Sequence, residues 1–530
     1  MDEKNDQKEN IKKRFFENLE RLDHSKSEND LKDCLENLKA LCIAADPRVL
    51  QHIANELDLS QIFDRFNSQK DQAEIFTPIL KLFLEALPMG EIFKRYHRNI
   101  LDGLRTTNDT IIELWIKTLV KPVFINDGLI QSIGLEPELI AKILKTILPL
   151  LANQELSIST SVHDICVAAS GAFRSIFFSP DFLKEFRRAK NPHPKSMSRS
   201  EQDQLAIRYY QLCVDIANKN QLLMDRMQEN RFLEEIVKDF QDKLDYDPLI
   251  AFNLVKIVID LASTQPGLQY LRTSTSLLPF VANKIQTIDP DTFESSLLTS
   301  LINFFIRIGR SDLKILEEYP LIMEKLIGYC QQREKGDREL QLLAIESIAY
   351  LCTLSEGKIF SDNKIDSVFD VISMMIDCGK SEYKCRSIMA LNDIMEIQGS
   401  DPGGRATQIT EGWYKKLEKL NCGLDRFMEI VKEPFLDVRL PAIRFLRILA
   451  STLWGQKILV QESGFIDYLF DTDTENNLRG HQAKHSIVSE LVMSPFTKVT
   501  FPSQIYLRLK NFYKNGSLIP SNPNVLFENS

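Results

Sequence analysis

WGQKILVQESGFIDYLF, residues Trp454–Phe470, carries an apolar spacing that recurs upstream, and that recurrence decides the fold. Counting from Gly455, Ile458 and Leu459 stand at plus three and four, Ile466 at plus eleven and Leu469 at plus fourteen. From Gly267 the same places hold Tyr270, Leu271, Leu278 and Val281. From Gly357 they hold Phe360, Ser361, Val368 and Val371, so this copy is partial. The pattern also runs backwards. Six residues before each glycine stand Leu261, Leu351 and Leu449, three before those Val258, Ile348 and Leu446, and four earlier again Leu254, Ala344 and Ala442. Spacings of three and four mark one face of a helix, and the alanines on that face let a neighbouring helix approach closely. The glycine is expected to end or bend the connection to the short helices that follow.

The glycines lie 90 and 98 residues apart. That is close to twice the length of an armadillo or HEAT unit, about 40–47 residues, so an intervening copy is expected in each gap. EYKCRSIMALNDIMEI (Glu382–Ile397) resembles DVRLPAIRFLRILAST (Asp437–Thr452) at an offset of 55 residues and is one such copy. The expected fold is all-α, an armadillo/HEAT-like helical-repeat solenoid forming a curved superhelix, in which each unit buries its apolar face against its neighbours.

Composition agrees. A chain of 530 residues is long for a single core. Its 44% hydrophobic and 26% charged residues are ordinary globular values, while 20 Gly and 21 Pro are too few for an all-β chain with frequent turns. The net charge of −9 has the wrong sign for a protein whose main partner is a phosphate backbone, so no nucleic-acid role is expected. Nine scattered cysteines without a C-x-x-C pair read as free thiols of a reducing compartment. The charged start MDEKNDQKENIKKR lacks the apolar run of a signal peptide, and no apolar stretch reaches membrane-spanning length. A cytoplasmic protein, present also in the nucleus and monomeric when free, is the expectation.

Along the chain, helical periodicity starts near Phe15 and continues through segments such as Leu31–Ala45 and Ala73–Pro88. RRAKNPHPKSMSRSEQD (Arg187–Asp203) is basic and poor in large apolar residues, and reads as an exposed loop open to docking or modification. The resulting division is a charged disordered tail (1–13), N-terminal helical repeats (14–186), the exposed basic loop (187–203), C-terminal armadillo/HEAT-like repeats (204–515) and a second tail (516–530).

Signs of chemistry are sparse. His481 and His485 in HQAKH have the spacing of two zinc ligands, but Gln482 stands where a metalloprotease carries its general-base Glu, and no third ligand follows. His163, Asp164 and Cys166 are too close along one helix to converge as a nucleophile, base and orienting acid. GSDPGG lacks the Gly-Lys-Ser/Thr of a phosphate-binding loop. The expectation is no enzyme, no cofactor and no metal. The polar residues of interest flank the core marks of the repeated helices. Arg439, Arg444 and Arg447 lie off the apolar face, and Lys384 holds the place of Arg439 in the earlier copy. Together Lys384, Arg439, Arg444 and Arg447 are expected to form a cationic ridge that meets an acidic partner.

A run of matches in order resembles the family of 26S proteasome non-ATPase regulatory subunit 5. It begins with EEYPLIMEKL (Glu317–Leu326) and EGK (Glu356–Lys358), and continues with Thr410, Glu411 and Trp413 in TEGWYKKL and Phe435 in EPFLDVRLPAIRFL. WGQKILVQESGFIDYLFD, HQAKHSIVSELV, and Tyr506, Leu507, Arg508 and Leu509 in IYLRLKNFY complete it. The resemblance implies a chaperone for assembly of the proteasome regulatory-particle base. Such a protein binds the C-terminal domain of one proteasomal ATPase subunit and is absent from the finished 26S particle. The competing reading is an armadillo-type adaptor or transport receptor for unrelated cargo. A receptor of extended basic peptides needs Trp and Asn recurring in each unit, and Trp occurs only at 115, 413 and 454.

Overall fold

In the computed structural model the three glycines of the recurring pattern are each the third residue of a helix. A β-carbon would stand 1.9 Å from the carbonyl oxygen of Leu261 at Gly267, 1.9 Å from that of Leu351 at Gly357, and 2.2 Å from that of Leu449 at Gly455. Glycine is required because each new helix starts by folding back onto the last turn of the one before. Leu249–Ala262 and Gln265–Thr273 are bent by 114° at this corner. The glycine thus serves a bend, as expected, but from inside the helix that follows. Thr264 and Thr452 cap two of these helices by accepting from the amides of Gly267 (3.3 Å) and Gly455 (3.1 Å).

The structure describes residues 13–515 apart from 16, 19, 22–27, 45–50, 52–58, 69–72, 127–132, 192–196, 290–294, 333–335, 379, 398–403, 472 and 476. Both expected tails lie outside this range except for Lys13, which is helical. Among the described residues there are helices and no strands. Contacts divide the chain into two units, Met1–Thr275 and Ser276–Ser530.

In the first unit, helices at Glu28–Ala44, Ser60–Ser68, Ala73–Ala86, Met89–Leu104, Asp109–Trp115, Lys121–Ile125 and Pro137–Ile147 come first. Trp115 is fully buried among Phe63 and Phe66. Its indole N–H donates to Asn67 at 3.0 Å. Then follow α1 (Leu156–Ala172), α2 (Pro180–Arg188), α3 (Arg199–Asn218), α4 (Phe232–Tyr246), α5 (Pro248–Ala262) and α6 (Gln265–Thr273). Helices α1, α3 and α5 lie side by side.

Of the expected exposed loop at 187–203, residues 192–196 lie outside the described residues, and its two ends are corrected to helix. Arg187 and Arg188 form the last turn of α2. Ser198 and Glu201 build a capping box that starts α3 at Arg199. Lys190 is held between them: its ammonium lies over the Tyr210 ring and pairs with Glu235 (2.5 Å) and Asp239 (3.1 Å). The division of the chain falls at 275/276 rather than at this segment.

In the second unit, α7 (Ser295–Ser311), α8 (Arg338–Cys352), α9 (Ser355–Ser361), α10 (Ser381–Met395), α11 (Arg405–Lys419), α12 (Leu436–Ser451), α13 (Leu453–Gln461), α14 (Leu478–Met493) and α15 (Ser503–Asn515) carry the pattern. Helices α7, α8, α10, α12 and α14 pack each on the next as a ladder, with starts at 295, 338, 381, 436 and 478. A second layer, including Asp366–Asp377, α11 and α13, stands behind them. Intervening copies are present: α7 follows the Gly267 copy and α10 follows the Gly357 copy, α10 being the segment that the sequence singles out. The fold is the expected all-α helical-repeat stack.

Candidate interaction surface

The four cations expected to form a free ridge are instead tied into the ladder. Lys384, in the first turns of α10, pairs at 2.8 Å with Glu433 in the link before α12. Arg439, the matching residue of α12, is 9% exposed and pairs at 3.1 Å with Glu475 in the link before α14. It also donates to the carbonyls of Glu433 (2.8 Å) and Pro434 (2.9 Å). The equivalence of Lys384 and Arg439 therefore holds, but as a repeated stitch from one ladder helix to the link before the next. The expectation that these two face a partner is corrected: each serves a buried or half-buried carboxylate.

Arg444 and Arg447 do lie at the ladder face, half-buried and already paired. Arg444 meets Asp393 at 2.9 Å and Glu396 on α10, and Arg447 meets the same Glu396 and, at 3.8 Å, Glu490 on α14. Burial works against a charge on Glu396, yet Arg444 and Arg447 hold its carboxyl below the ordinary range. One helix earlier, Arg386 of α10 pairs with Glu346 (2.7 Å) and Glu339 (3.2 Å) of α8. Arg310 of α7 lies 4.5 Å over the Tyr350 ring of α8 and donates to its hydroxyl. On α10 and α12 an arginine reaches back to the helix before it, and on α7 one reaches forward to the next. Pairs separated by 40 to 51 residues are not visible in a periodicity that reads one helix at a time.

Beneath this face lie polar residues that the sequence reading did not single out. The residue after the repeat glycine is Lys358 in one copy and Gln456 in another. Lys358, 1% exposed, donates to the carbonyl oxygens of Cys352 and Ile394, the C-terminal ends of α8 and α10. Gln456 donates to the carbonyl of Ala450 at the end of α12 (2.7 Å) and to Ser494 beyond α14 (2.8 Å). Both satisfy carbonyls that a helix end leaves without partners. Burial lowers the Lys358 ammonium to about 8. Lys484, bound to the Asp471 carbonyl and over the Tyr468 ring, is likewise lowered by burial to about 8. The available signal was positional: a polar residue recurring one place after the glycine.

Of the sites weighed for chemistry, GSDPGG lies outside the described residues except for its last glycine, and the histidines and Cys166 are placed on helices. His163 of α1 pairs with Asp215 of α3 at 2.9 Å. Burial opposes its protonation, but Asp215 and Asp164 outweigh it and raise the imidazole above its usual value. Cys166 is buried, which pushes its thiol up to about 12. His485 stacks on Tyr513 at 5.6 Å. Among the described residues no three His, Cys, Asp or Glu side chains are placed to hold a metal ion.

A groove of about 670 Å³ lies on the face between α10 and α12. Met389 and Phe435 line it and are 48% and 61% exposed. Cys385, Leu440 and Pro441 join them, with Glu382 and Asp437 among the charged lining residues. Such an arrangement can bind a protein surface.

The profile described as proteasome non-ATPase 26S subunit matches residues 17–525. The curated protein named 26S proteasome non-ATPase regulatory subunit 5 from Bos taurus is 23% identical over 490 residues, covering 91% of this chain and 93% of its own. The Homo sapiens protein of the same name is 23% identical over 496 residues with the same coverage. Among solved structures, the karyopherin Kap121p bound to the SUMO protease Ulp1p superposes with a TM-score of 0.51 at 11% identity, over 96% of this chain and 51% of that one. That likeness concerns the helical-repeat fold alone. With the profile match running through both units and through the ladder that forms the groove, this chain belongs to the proteasome non-ATPase 26S subunit family.

Proposed function

We propose that this chain is a non-catalytic assembly factor of the proteasome regulatory particle. It holds the C-terminal domain of one ATPase subunit, within that subunit's base-assembly module, and leaves before or as the 26S particle is completed. It acts in the cytoplasm and the nucleus, without cofactor, nucleic acid or membrane. The observation that carries the reading is the family match over residues 17–525. Relatives named as regulatory subunit 5 along nine-tenths of the chain support it. So does a ladder face spanning five helices, which offers many modest contacts to a client that would otherwise expose its own interface.

Release follows from bulk. A helical stack bound to one ATPase domain occupies space that a neighbouring subunit or the 20S core must take, so completion of the particle excludes it without ATP hydrolysis by the assembly factor. The test is capture by the full chain of separately purified C-terminal domains of the proteasomal ATPase subunits, with unrelated AAA ATPase domains as controls. Selective capture of one proteasomal domain is the expected result. Capture of none removes the reading and leaves an adaptor for unrelated cargo.

A further inference from the structure

The groove between α10 and α12 differs from the cleft between α7 and α8. That cleft, about 310 Å³, is lined mainly by polar groups such as Asn303, Arg307, Glu339, Glu346 and Tyr350. The α10–α12 groove instead shows Met389 and Phe435 to solvent. Its base is fixed by two bonds to backbone. Pro441 lies inside α12 and has no N–H, so the carbonyl of Asp437 loses its helical partner and takes the thiol of Cys385 at 3.2 Å. The Pro441 carbonyl accepts from Asn392 at 2.9 Å. The two helices are thus held in register below the opening, and the exposed Met and Phe are not spare side chains that a small shift could bury.

Charge identifies what covers them. Two arginines, Arg386 and Arg444, line the groove, and each is met by two carboxylates: Glu339 and Glu346, Asp393 and Glu396. Two more carboxylates, the exposed Glu382 and Asp437, stand in the first turns of α10 and α12 and line the groove as well. Arg447 shares Glu396, so among these groups six carboxylates stand against three arginines and the surroundings are acidic. An acidic partner segment, the expectation for a cationic ridge, would be repelled, and a basic one attracted.

We propose that this groove receives a short segment of a partner protein that presents a bulky apolar side chain beside a lysine or arginine. The apolar side chain enters between Met389 and Phe435, and the cation meets Glu382 and Asp437. The inference deepens the assembly-factor reading and rests on it for the identity of the partner, not for its chemistry.

The test uses the full chain and two fluorescent twelve-residue peptides with the same leucine and phenylalanine anchors, one flanked by lysines and the other by glutamates. By anisotropy the lysine peptide binds and the glutamate peptide binds at least about tenfold more weakly. Binding of the lysine peptide falls about tenfold or more in Phe435→Ala/Met389→Ser and in Glu382→Lys/Asp437→Lys, both altered at exposed side chains and checked for folding by circular dichroism. Equal binding of the two peptides, or unchanged binding in both folded variants, overturns the proposal. The same variants in the ATPase-domain capture separate it from the assembly reading. Capture of a domain that is unaffected by the variants sinks the groove and keeps the assembly factor. Groove-dependent peptide binding without capture of any ATPase domain does the reverse.

Discussion

Replacing Gly455 by alanine puts a β-carbon 2.2 Å from the carbonyl oxygen of Leu449 and 2.7 Å from its carbonyl carbon, where ordinary contact begins at 3.4 Å. The obstacle is backbone, so no side-chain rotation relieves it, and the start of α13 must move off the end of α12 by about 1 Å. That movement strains the packing of Trp454 and Leu459, both buried, at a cost of about 1–3 kcal/mol for overpacking. It also pulls Gln456 from the Ala450 carbonyl and from Ser494, and a buried group left without its partner costs about 1–3 kcal/mol. A total loss of about 2–6 kcal/mol is expected. Gly412, inside α11, is the control: a β-carbon there meets nothing within 4 Å, so Gly412→Ala gains about 0.5–1 kcal/mol from helix propensity and a stiffer unfolded chain. Urea unfolding followed by helical circular dichroism compares the two, reading the first transition because repeat arrays can unfold in stages. A Gly455→Ala protein within about 0.5 kcal/mol of wild type, or a Gly412→Ala protein equally damaged, refutes the corner as the reason for the repeated glycine.

Lys358 supplies a pH dependence: burial holds its ammonium at about 8 against about 10.4 in the unfolded chain. Between those values the unfolded state binds more protons, so this group's penalty, about 3 kcal/mol and fully present below pH 8, is relieved as pH rises toward 10.4. Lys358→Met therefore shows a smaller rise, or a steeper fall, in stability than wild type from pH 7.5 to 10, and identical profiles contradict the assignment. Arg439→Met leaves Glu475 buried without its cation and costs about 3–5 kcal/mol, while the double variant with Glu475→Met recovers most of that loss in denaturant titrations. Glu396→Gln removes the carboxylate shared by Arg444 and Arg447 and lowers stability by about 1 kcal/mol, less at high salt, as read from the urea midpoint at two ionic strengths.

The ladder was legible because its cause is local. Leu261, Leu351 and Leu449 repeat at fixed distance from a glycine, and three- and four-residue spacing needs no knowledge of the partner helix. Even the intervening copy at α10 could be read, and the equivalence of Lys384 and Arg439 with it. What those cations meet could not. Periodicity shows that Arg444 leaves the apolar face of α12, but Asp393 lies 51 residues away on another helix, and only packing brings them to 2.9 Å. The same limit hid Glu475, which sits in a link yet is buried against Arg439. Phe435 stood out only as a matching residue; its exposure beside Met389 depends on how α10 and α12 are joined through Cys385 and Asn392. The basic segment at 187–203 misled for a different reason: its composition reads as loop, while the capping box of Ser198 and Glu201 carries α3 into it.

The most direct measurement isolates the tagged protein from cells at native expression and resolves its complexes on native gels, with immunoblots for ATPase subunits and for the 20S core. The account predicts one ATPase subunit and its partial base module with the protein, and no 20S core. Full stoichiometry of the protein in active, completed 26S particles contradicts it.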